Sequence, residues 1–169
     1  HAAQVESLLQ GGVDGIVLVM SRPKELGPQL EKARAKKVPV VSVMSGAAPG
    51  VLFDVNVNEY AVGAQIGLYL LGLIGYEGNL VMQRFPASDG PRIRGKVMDV
   101  ILSENPAVKL LDSASVTHPQ GWQEETRQSM TVLVQKHAGK VQAVWTASDG
   151  QAFVVDDVLQ AKGYKKGQV

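Results

Sequence analysis

The residues of this chain best equipped for chemistry are Arg92, Trp122, Ser148, Asp149, Met44 and Ser45. Each lies after a short apolar run, in the company of Met20, Ser21, Arg22, Arg84, Phe85, Ser88, Asp89, Thr117, His118 and Gly150. A guanidinium offers a fork of donors, hydroxyls and a carboxylate donate or accept, and an indole offers a flat apolar face. Polyols need that mixture: polar groups for the hydroxyls and an aromatic surface for the C–H face of a ring. Each residue also has a plainer use. Asp149 precedes a helical stretch and reads first as its N-cap, with Ser148 as an ordinary turn residue. Arg92 on a first helical turn reads as a solvated side chain, and Asp89-Gly90-Pro91 as a turn. His118 reads as a loop histidine, and His137 as a favourable charge at a helix end. Trp145, inside an apolar run, reads as core, whereas Trp122, after Pro119-Gln120-Gly121, reads as half exposed.

Catalytic patterns are weak. The chain has no G-x-S-x-G elbow, no P-loop and no G-x-G-x-x-G after a strand. Glu124-Glu125 and Asp156-Asp157 read as solvated helix faces. The histidines are too dispersed in sequence to suggest a metal site. With Cys 0, thiolate ligands, disulfides and cysteine nucleophiles are excluded. A binding cleft is therefore favoured over an enzyme, with no cofactor and no metal. Lys+Arg 17 against Asp+Glu 16 leaves no basic block to track phosphates, so nucleic acid is not an expected partner. The apolar stretch 66–74 contains glycine and falls well short of the roughly 20 residues that span a bilayer. No signal peptide is visible.

The elements that must position these residues alternate regularly. Apolar, largely β-branched runs at 13–19, 38–43, 79–85, 108–116 and 141–146 predict strands, the first buried on both faces, and 51–57 is expected to be extended. Helical periodicity fills the gaps at 2–10, 26–37, 93–103, 121–138 and 151–162, and a long helix capped by Asn56 or Asn58 runs to about Gly75. In the 93–103 helix, Ile93, Val97, Val100 and Ile101 are expected to face inward. Gly63, Gly67 and Gly72 within the long helix predict close packing. Alternation of this kind argues for an α/β fold with parallel sheets flanked by helices, whose ligands sit at the C-terminal strand ends.

The run Ala3-Gln4-Val5-Glu6-Ser7-Leu8-Leu9-Gln10-Gly11-Gly12-Val13-Asp14-Gly15-Ile16-Val17-Leu18 resembles the second helix and third strand of sugar-type periplasmic binding proteins. Lys37-Val38-Pro39-Val40-Val41, Arg92-Ile93-Arg94-Gly95 and 141–150 continue the likeness in the same order. This is the type I solute-binding fold, shared with lactose-repressor effector domains. The resemblance implies two Rossmann-like lobes joined by a hinge, with a sugar or sugar-like ligand in the cleft. Residues 1–56 would be part of the N-terminal lobe and 57–169 most of the C-terminal lobe, the chain being cut at both ends. Arg92 matches an arginine that binds sugar hydroxyls, and Trp122 an aromatic ring against the ligand. Ser148 stands in place of an asparagine, with Asp149 following, and Met44 and Ser45 in place of an Asp-Arg pair. These departures disfavour ribose and galactose. The implied role is the substrate-binding component of a bacterial ABC importer, working in the periplasm with a membrane permease. The alternatives are the effector-binding domain of a transcription regulator or a receptor feeding a membrane sensor kinase.

Overall fold

The computed structural model describes residues 1–165 and 167–169. The chain divides into two compact units, His1–Val57 and Asn58–Val169.

The first unit contains α1 (Ala2–Gln10), β1 (Ile16–Val19), a 3-10 turn (Pro23–Glu25), α2 (Gly27–Ala35), β2 (Val40–Val43) and β3 (Asp54–Val55). Its strands are parallel in the order β1-β2-β3. Gly12, at φ +75°, reverses the chain after α1 at a conformation that costs glycine little. Val5 and Leu9 of α1 and Leu26, Leu30 and Ala33 at α2 pack with Ile16, Leu18 and Val40 into one core. Because the strands are added in one direction, both helices cover the same face. Val17 and Val19 on the other face are 61% and 57% exposed. This corrects the expectation of a first strand buried on both faces: its apolar run is continuous, but only alternate residues are covered. The extended stretch at 51–57 contributes only the two-residue β3.

The second unit contains α3 (Glu59–Leu73), β4 (Gly78–Arg84), α4 (Asp89–Glu104), β5 (Val108–Ser115), α5 (Trp122–Lys136), β6 (Ala143–Thr146) and α6 (Asp149–Ala161). All three strands are parallel, in the order β5-β4-β6. The chain leaves β4 to one side for β5 and then crosses to the other side for β6, so the strand order reverses at β4. Side chains of β4 alternate accordingly. Leu80 and Met82 join Leu71 of α3, Met98 and Ile101 of α4 and Trp145 of β6. Val81 joins Met130, Leu133 and Val134 of α5 and Val155 and Val158 of α6. Helices thus cover both faces, and the α/β architecture with parallel sheets is the one expected from the alternation.

Asn58 is the cap of α3: its Oδ1 accepts from Ala61 N–H at 3.1 Å, while Asn56 Nδ2 donates to Asp54 at 3.1 Å. A Cβ at Gly63 would lie 3.0 Å from the Arg94 Cα, and one at Gly67 2.6 Å from Ile101 Cδ1. Close packing against α4 therefore explains these two glycines. It does not explain Gly72, where a Cβ would meet nothing. Helix α4 begins earlier than expected, because Pro91 fits a first turn whose N–H has no intrahelical acceptor. Asp89-Gly90-Pro91 is helix rather than turn. Its inward face also differs: Gly95, Met98 and Ile101 are buried, and Val100 is exposed.

Among the described residues, no helix is long and apolar enough to cross a membrane, and no group of three or more His, Cys, Asp or Glu could hold a metal ion.

At the β5–α5 packing, Lys136 Nζ lies 2.7 Å and His137 Nε2 3.2 Å from Asp112 Oδ2. The Lys136 ammonium above all, then His137, holds the Asp112 carboxyl down at about 2. A depressed carboxyl stabilises the fold above its unfolded pKa, and that stabilisation is lost as pH falls through the folded value. Urea unfolding should therefore show the stability advantage of the wild type over Asp112→Asn shrinking between about pH 5 and about pH 2. A difference constant over that range would contradict the assignment. At the α3–α4 contact, Gly63→Leu should cost about 2 kcal/mol by urea unfolding, since a backbone atom cannot yield as a side chain can. Gly72→Leu should cost far less.

Candidate functional site

Because β4, β5 and β6 are parallel, their C-terminal ends and the first turns of α4, α5 and α6 share one edge of the second unit. The reversal of strand order at β4 makes this edge a topological switch point, where open α/β sheets take their ligands.

Trp122 opens α5 after Gly121, whose φ of +74° turns the chain into the helix. The indole lies against Gly150 in the first turn of α6: a Cβ there would sit 2.9 Å from its Cη2. Gly150 is thus small because the ring occupies the space. This contact brings Trp122 together with Ser148 and Asp149. Ser148, not Asp149, is the α6 N-cap, its Oγ accepting from Gln151 N–H at 3.3 Å. Asp149 is the first helical residue. Its Oδ1 accepts from Gly150 N–H at 2.9 Å, and the rest of its carboxylate faces solvent.

Arg92 lies in the first turn of α4 at the same edge, its Nη2 3.0 Å from Asp89 Oδ1. With side chains 40% and 81% exposed, this pair holds the guanidinium only weakly and leaves its other donors accessible. Thr117 and His118 follow β5. Thr117 Oγ1 contacts His118 Nδ1 at 2.8 Å and donates to Glu125 Oε1 at 3.1 Å.

The feature that sequence reasoning missed is Arg94. Its Nε donates to the Glu59 carboxylate and its Nη1 to the Ala147 carbonyl at 3.1 Å. Glu59 is buried in the first turn of α3, and its Oε1 would lie 2.5 Å from a Cβ at Gly90. One guanidinium therefore ties the start of α3 to α4 and to the turn between β6 and α6. A signal existed: Arg94 stands four and seven residues before the buried Met98 and Ile101, a charge on a core-facing stripe. Beneath the edge, Gln83, Thr126 and Gln151 are fully buried. Gln83 Oε1 accepts from Ser129 at 2.9 Å and Gln151 Nε2 donates to the Arg84 carbonyl at 3.4 Å, so polar groups underlie this end of the sheet. A concavity of about 540 Å3 at the other end of the unit, lined by Val141, Gln142 and Tyr164 among others, holds none of the predicted site residues.

In the first unit, Met44 and Ser45 follow β2. Met44 is 40% exposed at φ +49°. Ser45 Oγ accepts from Ser21 N–H at 3.0 Å and lies 2.9 Å from the Val43 carbonyl, bridging the ends of β1 and β2. Asp54 accepts from the Ser42 hydroxyl and from Ser45 N–H. The Ser42 bond chiefly lowers its pKa below the ordinary aspartate value, outweighing burial.

A parallel α/β chain whose polar and aromatic groups gather at a switch point is a ligand-binding architecture. The chain belongs to the periplasmic binding protein domain family, whose model matches residues 1–169. It is 34% identical over 113 residues, 66% of its length, to the xylitol-binding protein of Mycolicibacterium smegmatis (strain ATCC 700084 / mc(2)155). Among solved structures it resembles an ABC sugar transporter subunit from Rhodobacter sphaeroides 2.4.1, with a TM-score of 0.78 and 24% identity over 96% of this chain. It also resembles a periplasmic solute binding protein of an ABC transporter from Actinobacillus succinogenes 130z with bound D-allose, with a TM-score of 0.82 and 20% identity over 96% of this chain. The chain spans 32% of the xylitol-binding protein and 58% and 59% of those two structures.

Removing Arg94 should expose the value of its contacts. Arg94→Leu leaves the Glu59 carboxylate buried without its cation and should cost about 3 kcal/mol by urea unfolding. Glu59→Leu combined with Arg94→Leu should cost less than Arg94→Leu alone, since no charge is then stranded. A double variant at least as damaged as the sum of the single ones would refute this account.

Proposed function

We infer that this chain is the ligand-binding part of a solute-binding protein serving an ABC importer, and that it takes a sugar or polyol. The observation that carries this reading is the Trp122 ring seated on Gly150 beside Ser148 and Asp149, with Arg92 at the same strand edge. Trp122 supplies the apolar face for ligand C–H groups, Arg92 donates to ligand oxygens, and Ser148 and Asp149 complete the polar set. The names of the similar proteins, a xylitol-binding protein and a protein with bound D-allose, support the ligand class. Residues 1–56 then belong to the N-terminal lobe and 57–169 form most of the C-terminal lobe. The protein works outside the cytoplasmic membrane, binds rather than transforms its ligand, and presents the bound state to a permease.

Calorimetric titration with xylitol, allitol, D-allose and D-ribose tests this. At least one should bind saturably. Arg92→Ala and Trp122→Ala should each weaken that binding about tenfold or more, the cost of a lost charge-assisted hydrogen bond or a lost ring contact. No binding across the panel, or affinity unchanged in both variants, would overturn the site.

A further inference from the structure

The second unit buries polar side chains on the sheet face that α5 and α6 cover. Gln83 of β4, Thr126 of α5 and Gln151 of α6 are each 0% exposed. One polar atom on each, Gln83 Nε2, Thr126 Oγ1 and Gln151 Oε1, has no hydrogen-bond partner among the described residues. A buried amide or hydroxyl is costly unless it is bonded, so three unpaired ones in one layer call for a common partner. Trp145 Nε1 is unpaired as well, but Trp145 packs with Leu71 and Met98 on the face that α3 and α4 cover.

The bonds that are made link the three residues to one another. Ser129 Oγ lies 2.9 Å from Gln83 Oε1 and 3.1 Å from the Thr126 carbonyl, one turn back on α5. Gln151 Nε2 donates at 3.4 Å to the carbonyl of Arg84, the residue next to Gln83. The Gln83 carbonyl accepts from Ala147 N–H at 3.1 Å, at the turn into α6. Ser129 has one hydroxyl proton and cannot give it to both acceptors. If Gln83 Oε1 takes the proton, Gln83 Nε2 is left over, a donor. If the Thr126 carbonyl takes it, the Gln83 amide turns to donate to Ser129, and its Oε1 is left over, an acceptor. Either way the remainder is one Gln83 amide atom, an acceptor on Gln151 and the Thr126 hydroxyl.

We propose that Gln83, Thr126 and Gln151 bind a single internal water that joins β4 to α5 and α6. Water both donates and accepts, so it satisfies the set in either orientation of the Gln83 amide. Internal waters make about three hydrogen bonds to buried groups that lack other partners, the number offered here. The three side chains are neutral and bring no charge to balance an ion. Because all three are fully buried, this water is part of the fold and stands apart from any ligand taken from solvent.

Thr126→Val tests the energetics. The two side chains have similar shape and similar helix propensity, so the variant removes the hydroxyl and little else. With the hydroxyl bonded to water, the folding equilibrium constant read by urea unfolding should fall about fivefold, the worth of one net hydrogen bond. With the hydroxyl unpaired, its removal relieves a burial cost and the constant should rise. A crystal structure of the purified protein should place one ordered oxygen within about 3.2 Å of all three side chains, a readout that needs no variant to fold. Oxygen-17 relaxation dispersion in solution should count one long-lived water fewer in Gln151→Met, which keeps side-chain length and removes the amide. Thr126→Val at least as stable as the wild type, no ordered oxygen at the three side chains, or equal water counts in the wild type and Gln151→Met would each overturn the proposal. None of these measurements involves a ligand, so the sugar or polyol reading stands or falls separately.

Discussion

The second unit is organised around one buried carboxylate, Glu59, and the partly buried guanidinium that pairs with it. Arg94 spends its guanidinium on the Glu59 carboxylate and on the Ala147 carbonyl, and thereby fixes three segments that are distant in sequence. A buried charge is tolerated only when paired and hydrogen-bonded, so the two partners must be placed with little freedom. Glu59 sets the first turn of α3 and lies against Gly90 of α4. Ala147 sets the turn from which Ser148 caps α6. The edge that carries the candidate site inherits its geometry from this arrangement.

Gly150 completes it at the other side of the turn. Its missing side chain lets Trp122 lie directly on the first turn of α6, so the indole is positioned by backbone rather than by a flexible neighbour. Around it lie the aromatic face, the helix cap and a carboxylate, with the loosely paired Arg92 of α4 at the same strand edge.

Much of this was legible from residue order. The apolar runs at 38–43, 79–85, 108–116 and 141–146 are short and bounded by turn residues, so local preference and burial agree and the strands form within about two residues of those bounds. The α/β class follows from their alternation with helices. Less legible was which apolar residues would be covered. Val17 and Val19 look like core but lie on the face of β1 that α1 and α2 leave open. Val100 carries the helical stripe by composition, yet α4 is rotated so that Gly95 and Met98 face inward, because Gly63 and Gly67 admit α4 closely along that line.

The sequence by itself determined the elements, their parallel arrangement, the polar and aromatic residues at the strand ends, and the membership in a ligand-binding family that their order betrays. Periodicity and turn chemistry act over a few residues, so they can be read locally. Only the tertiary structure decided that Trp122 rests on Gly150, that Arg94 pairs with the buried Glu59 carboxylate, and that Ser45 bridges the ends of β1 and β2. Each of these depends on a contact or register between residues far apart in the chain, and distance along a chain carries no record of distance in space.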